Sequence, residues 1–253
     1  MDLIPDDPTL TVLAYSALSA AAAALGAVLL AAFGRGGRRE LPTAWSGWAN
    51  ALAAGMMFAA AYLLAESGLA GPPLPAALGA ALGALFIFTT HAALGTARPP
   101  RARGRRADSS GGRKAVVISA LHSACEGVAI GVAMAVDLRF GIFLALAIAV
   151  HNVPEATVLC GVLTGRGMRL PAATALAVAA DATQVLGAVA AFALASAAPA
   201  ALPWVQGFAV GALINLVLIE LLPDSYREAG HTSIALVASV AMGIVVLLRG
   251  LAP

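Results

Sequence analysis

Eight runs of apolar residues follow one another along the chain, separated by shorter stretches rich in polar, Gly and Pro residues. Each run has about 20 residues or more, which is the length that an α-helix needs to cross the roughly 30 Å hydrocarbon layer of a bilayer. We therefore predict an all-α integral membrane protein with eight transmembrane helices in a bundle. The predicted spans are residues 9–33, 43–65, 74–96, 115–136, 140–163, 171–196, 203–222 and 232–250.

Arg and Lys residues are distributed unevenly over the connections between these spans. Thirteen of the fifteen follow spans 1, 3, 5 or 7, and the other two are Arg139 and Arg249. Cationic loops tend to stay on the cytoplasmic side of a membrane, so this bias predicts that both termini lie outside. The N-terminal stretch "MDLIPDDP" is acidic, unlike the basic start of a cleaved signal peptide.

The composition places the whole chain in a bilayer. Of its 253 residues, 60% are hydrophobic and 11% are charged, and its mean hydropathy of +0.90 exceeds that of ordinary soluble domains. We predict one eight-span domain over residues 1–253. The Arg/Gly/Pro-rich segment 97–114 resembles a nucleic-acid patch in composition, but between two spans it fits a cytoplasmic loop near anionic lipid better. The two cysteines, Cys125 and Cys160, lie inside spans, and no disulfide framework is predicted.

Ionisable residues inside membrane spans are rare and usually functional, and here they follow a repeated pattern. Span 4 contains His122 and Glu126, and span 5 contains His151 and Glu155. A separation of four residues puts imidazole and carboxylate on one helical face. If the two faces meet, two nitrogens and two carboxylates converge, which is a ligand set suited to zinc or iron.

A structural alternative is that each His and Glu form a hydrogen bond that ties helices together. Two adjacent spans carrying the same pair at the same depth favour the metal site. Pro154 favours it further, because proline cannot donate to the carbonyl of Val150 and leaves a free acceptor at membrane depth.

Other polar residues lie within or at the ends of the spans. In span 6, Asp181 and Gln184 are three residues apart and share a face. Glu220 and Asp224 are four apart near the predicted cytoplasmic exit of span 7, and Glu66 lies at the outer end of span 2. His91, in span 3, has no partner in its own span, and we interpret it as a helix-packing histidine.

Four short motifs make the chain resemble the ZIP (Zrt/Irt-like) family of metal transporters, bacterial type, over nearly its whole length. The family's H-N-x-P-E-G motifs in spans 4 and 5 correspond to "HSACEG" at 122–127 and "HNVPEA" at 151–156. Its span 7 signature E-L-L-P-E corresponds to "ELLPD" at 220–224, and its span 2 ending "LLPEA" to "LLAES" at 63–67.

The resemblance implies a metal site between spans 4 and 5, often binuclear. It puts His122, Glu126, His151 and Glu155 on primary metal positions and Asn152 on a second-site position. Ser123 and Gln184 stand where the family often has Asn and Glu, so we expect a weaker second site and one tightly bound metal. Asp181 is a candidate substitute. Cys125 stands where span 4 usually has proline, which predicts a straighter helix.

We therefore expect the chain to transport a divalent transition metal into the cytoplasm, with zinc favoured and iron, manganese or cadmium open. The alternatives are a membrane-embedded metalloenzyme, using zinc or a di-iron centre, and a transport-dead metal sensor. We predict no catalytic residues and no cofactor besides the transported ion, and no nucleotide-binding motif is present. The expected partners are the metal ion and membrane lipid, with a homodimer left open and no nucleic acid. Fourteen arginines against one lysine, with many alanines, point to a bacterial plasma (inner) membrane.

Overall fold

The computed structural model of the chain describes residues 7–33, 42–69, 71–94 and 109–251. Within these ranges eight helical segments are long and apolar enough to cross a membrane, which confirms the predicted number of spans. Their bounds are Pro8–Phe33, Thr43–Ser67, Pro73–Leu94, Gly112–Val136, Leu138–Gly165, Leu170–Ala197, Pro199–Glu228 and His231–Leu251, numbered spans 1 to 8.

The helices extend beyond several predicted boundaries. Their bounds are α1 Pro8–Ala21, α2 Ala23–Phe33, α3 Thr43–Ser67, α4 Pro73–Leu94, α5 Ser109–Val136, α6 Leu138–Gly165, α7 Leu170–Ala197, α8 Leu202–Leu216, α9 Leu222–Glu228 and α10 His231–Leu251. The α5 helix thus includes the last six residues of the segment 97–114 that we expected to be a loop, and residues 97–108 lie outside the described ranges. The orientation of the termini stays a prediction.

Two spans contain local departures from α-helix. Span 1 is divided at Ala22. In span 7, residues Val217–Leu221 form a π-helical turn directly before α9. Pro223 follows two residues later and lacks the N–H that a regular helix would use, which favours the wider turn. Pro154, by contrast, lies inside α6 without ending it, because a proline in a membrane helix is tolerated where neighbouring helices support the backbone.

The spans pack in two groups of four. Spans 1, 4, 5 and 6 contact one another, and spans 2, 3, 7 and 8 form the second group. The groups meet mainly where span 2 packs on span 5, and span 4 packs on span 7. Spans 4 and 5, which carry the two His–Glu pairs, therefore belong to one group and face the other.

Small residues let the helices of each group approach closely. A Cβ atom on Gly127 of span 4 would collide with the backbone carbonyl of Gln184 in span 6, and one on Gly207 of span 7 would collide with Ala76 in span 3. Close packing of this kind stabilises the association of membrane helices, because lipid provides no hydrophobic driving force between them. The contact at Gly127 also brings the Gln184 side chain next to Glu126.

Candidate metal centre

Four side chains from spans 4 and 5 converge inside the bundle. His122 and Glu126 come from span 4, and His151 and Glu155 come from span 5. The four-residue spacing puts each pair on one helical face, and the two faces meet where the spans pack together. One ligand atom from each residue lies within 4.8 Å of the others. We call these four residues the ligand set.

Glu126 lies at the centre of the ligand set. Its Oε1 atom is 2.7 Å from His151 Nε2 and 3.5 Å from His122 Nε2. The Oε2 atom of Glu155 is 3.3 Å from His151 Nε2 and 3.9 Å from His122 Nε2. Ligand atoms about 2.0–2.2 Å from a tetrahedral zinc ion stand about 3.3–3.6 Å apart. Because the observed nitrogen–oxygen separations bracket this value, the side chains are close to the arrangement of a tetrahedral site.

Several polar atoms of the ligand set have no hydrogen-bond partner among the described residues. They are Oε1 of Glu126, Oε2 of Glu155 and both ring nitrogens of His151, and all are buried. The short distance between Glu126 and His151 thus joins two atoms that are not aligned for a hydrogen bond. Buried unpaired polar atoms are costly and call for an explanation. A divalent cation between the four ligand atoms would supply the missing partner.

Met57 of span 2 adds a sulfur atom beside the ligand set. Its Sδ atom is 3.1 Å from Nε2 of His122, and the side chain is 2% exposed. This residue was not predictable from the sequence, because a methionine in an apolar span has no feature that separates it from a core residue. The contact crosses from one group of spans to the other, so the ligand set lies at the interface between the groups.

A network of hydrogen bonds joins the remaining predicted site residues next to Glu126. Asn152 donates to the Oε1 atom of Gln184 at 3.2 Å and to the Ser19 carbonyl at 2.9 Å. The Nε2 atom of Gln184 donates to Glu126 Oε2 at 3.4 Å. Ser123 donates to Asp181 at 2.8 Å, and both side chains are buried. The positions that the family resemblance assigns to a second metal are therefore occupied by hydrogen bonds between mostly neutral side chains.

A cavity of about 350 Å³ leads from the ligand set toward the end of the bundle where span 4 begins and span 7 ends. We call it the inner cavity. His122 and Glu155 line it at the ligand set, and Glu220, Asp224 and Lys114 line it further along. Because the cavity reaches Glu155, this carboxylate is the most accessible member of the ligand set, at 14% exposure of its side chain.

His91, which has no partner in its own span, lies close to an acidic residue of another span. Its Nε2 atom lies 3.5 Å from Oε2 of Glu220, which belongs to the π-helical turn of span 7. Spans 3 and 7 pack against each other, which brings together two residues far apart in the sequence. The pair therefore adds an imidazole beside one of the acidic residues of the inner cavity.

Two other polar residues lie apart from the ligand set. Glu66 is exposed at the end of span 2. Cys125 is buried in span 4 and is not among the residues that converge. Its position next to Glu126 turns it about 100° away on the helix.

Comparison with known proteins gives a consistent family. A family model described as ZIP zinc transporter matches residues 103–249. The Arabidopsis thaliana protein At3g08650, named as a zinc transporter, is 35% identical over 238 residues, which are 92% of this chain and 37% of that protein. The zinc transporter ZIPB of Bordetella bronchiseptica is 34% identical over 122 residues, or 48% of this chain and 39% of that protein. The chain therefore spans less than two fifths of either relative. Since the family model covers more than half of this chain, the chain belongs to the ZIP zinc transporter family.

Proposed function

We propose that this chain carries a divalent transition metal, zinc in the first place, across a membrane into the cytoplasm. The observation that carries the proposal is the ligand set: four ligand atoms within 4.8 Å of one another inside the bundle, several of them buried without hydrogen-bond partners among the described residues. The names of both relatives refer to zinc. Imidazole and carboxylate ligands bind zinc, iron, manganese and cadmium alike, so ligand chemistry by itself does not separate these metals.

On the proposed transport path, the ion meets the ligand set first and the carboxylates of the inner cavity second. An ion that enters from outside loses water as it binds the two imidazoles and the two carboxylates of the ligand set. The inner cavity then offers Glu220 and Asp224 as the next ligands toward the cytoplasm. Because the cavity connects the ligand set to the end of the bundle predicted to be cytoplasmic, we infer that the structure represents an inward-open state. A shift between the two groups of spans would close this end and open the other.

The competing enzyme hypothesis has less support. Helical bundles that hold two metal ions use extra glutamates and Glu-x-x-His pairs, whereas the ligand set here contains two carboxylates. The family is one of transporters. Without a nucleotide-binding motif, the driving force is the gradient of the ion, the membrane potential or protons. A bacterial plasma membrane and assembly as a homodimer remain predictions.

Uptake by proteoliposomes tests the function directly. Purified protein would be reconstituted, and entry of zinc, iron, manganese and cadmium would be measured side by side under the same inward gradient. We expect zinc uptake that is lost in Glu155→Ala and retained in Glu66→Gln, which removes an exposed carboxylate outside the ligand set. Protein that binds zinc but moves none of the four ions would favour the metal sensor. Stoichiometric bound iron with catalytic turnover would favour the enzyme.

We also propose that the ligand set holds one metal ion rather than two. Glu126 and Glu155 supply two negative charges, which compensate one divalent cation, and a second cation nearby would meet repulsion in a medium of low dielectric constant. The amide of Gln184 bridges Asn152 and Glu126 where a second ion would need ligands. Asp181 is a further carboxylate beside this network, and it accepts a hydrogen bond from the Ser123 hydroxyl.

Metal content of purified protein tests the number of ions. We expect a zinc-to-protein ratio near one, rising toward two when Ser123→Asn and Gln184→Glu are introduced together, since these changes restore an amide and a carboxylate. A ratio near two in the unmodified protein would contradict the proposal. Loss of that second ion in Asp181→Ala would then identify Asp181 as its ligand.

A further inference from the structure

One cationic side chain lines the inner cavity together with its carboxylates. Lys114, the single lysine of the chain, lies on the second turn of α5 and lines the cavity together with Glu155, Glu220 and Asp224. These are three carboxylates and one ammonium group in a volume of about 350 Å³. A positive charge in this position repels divalent cations, so attraction of the ion does not explain why it is there.

The charges of the inner cavity are only partly paired in this state. Lys114 is exposed and forms no ion pair with the described carboxylates. Oε2 of Glu220 is buried and lies 3.5 Å from Nε2 of His91. Asp224 pairs with Arg227 at 2.7 Å through half-exposed side chains. The ammonium group, on a flexible four-carbon stem, is therefore free to move between solvent and the carboxylates that an outgoing ion would use.

We infer that Lys114 is a built-in competitor for the transported cation, which weakens metal binding in the inner cavity and speeds release into the cytoplasm. The inference rests on the proposed transport function and assigns a role to a residue outside the ligand set. A departing ion drawn to Glu220 and Asp224 would be held there by two carboxylates. The Lys114 ammonium raises the electrostatic potential of the cavity and replaces the ion as partner of these carboxylates, so the ion leaves more readily.

A neutral variant of the same length tests the inference. Lys114→Gln removes the charge, Lys114→Arg keeps it, and Arg113→Gln removes a neighbouring exposed charge that does not line the cavity. Zinc affinity would be measured by calorimetry on detergent-solubilised protein. Inhibition of zinc uptake by zinc on the cytoplasmic face would be measured in proteoliposomes of defined orientation.

In Lys114→Gln we expect zinc to bind about three- to tenfold more tightly, and inhibition from the cytoplasmic face to set in at a correspondingly lower concentration. Lys114→Arg and Arg113→Gln should behave like the unmodified protein. The effect should shrink in 0.5 M salt, roughly as expected for a Debye length of about 4 Å. A purely structural role would give neither the salt dependence nor the rescue by arginine.

Two results would overturn the inference: unchanged zinc affinity and inhibition in Lys114→Gln, or an equal change in Arg113→Gln, which would indicate a general surface charge effect. Absence of zinc uptake by the unmodified protein would instead refute the proposed function. The calorimetric comparison does not depend on transport, so it still decides whether Lys114 weakens metal binding.

Discussion

Replacing Glu126 by glutamine gives the sharpest test of the ligand set. The side chain is fully buried and lies within 3.5 Å of both imidazoles through one oxygen atom. Glutamine has nearly the same volume, so Glu126→Gln removes one negative charge and one anionic ligand while leaving the packing intact. One of the two carboxylates that compensate the divalent ion is then lost.

The size of the effect follows from burial. Removing one partner of a buried charged pair costs about 3–5 kcal/mol, which corresponds to about 140- to 3,700-fold in affinity, since each 1.4 kcal/mol is a factor of ten. We therefore expect zinc affinity to fall by at least about two orders of magnitude and uptake to be abolished, and Glu126→Ala to do the same. The empty protein should unfold at nearly the same temperature, because the glutamine amide oxygen can still accept the hydrogen bond from Gln184.

Competition with a chelating dye would measure zinc affinity, and the same preparations would be tested for uptake in proteoliposomes. Glu66→Gln is the matched control, since it makes the same chemical change at an exposed position. A loss of affinity smaller than about tenfold in Glu126→Gln would refute the assignment of this carboxylate as a ligand. Normal transport by both Glu126→Ala and Glu155→Ala would place the metal site elsewhere.

The remaining predictions concern topology, packing and pH. A cysteine introduced by Ser110→Cys should resist impermeant thiol reagents in intact cells and react after permeabilisation. Labelling of this cysteine in intact cells would contradict the proposed orientation. Gly127→Val should lower the melting temperature by an amount corresponding to about 1–3 kcal/mol, because its side chain would strike the carbonyl of Gln184, whereas Gly243→Ala, with open space around it, should change little. Zinc affinity should fall as pH drops, by up to about tenfold per pH unit for each proton that the ion must displace, since imidazoles and carboxylates bind metal only when deprotonated; an affinity that stays constant between pH 7.5 and 5.5 would show that binding releases no protons.

Much of the architecture could be predicted from the sequence because a bilayer leaves few choices. Hydrocarbon offers no hydrogen bonds to the backbone, so an apolar run of about 20 residues forms a helix that spans it. The number of spans follows from this constraint. The spacing of His122 and Glu126, and of His151 and Glu155, also gives their relation directly, because residues four apart share a face of any α-helix. These statements depend on local structure alone.

The ends of the helices were less predictable. Span 7 continues to Glu228, beyond the predicted end at residue 222, and α5 begins at Ser109 inside the segment expected to be a loop. Polar residues at a helix end are compatible with both helix and loop, and packing against neighbouring spans decides between them. Similarly, Pro154 did not interrupt α6, since support from adjacent helices is a tertiary property.

The surroundings of the ligand set were decided by tertiary structure. Met57 contacts His122 across 65 positions of the sequence, and Gln184 contacts Glu126 across 58. The meeting of His91 with Glu220 depends on the packing of spans 3 and 7. A sequence gives the face on which each of these residues lies on its own helix. It does not give the depth and rotation at which two helices meet, because those depend on the close contacts of small residues along the whole interface.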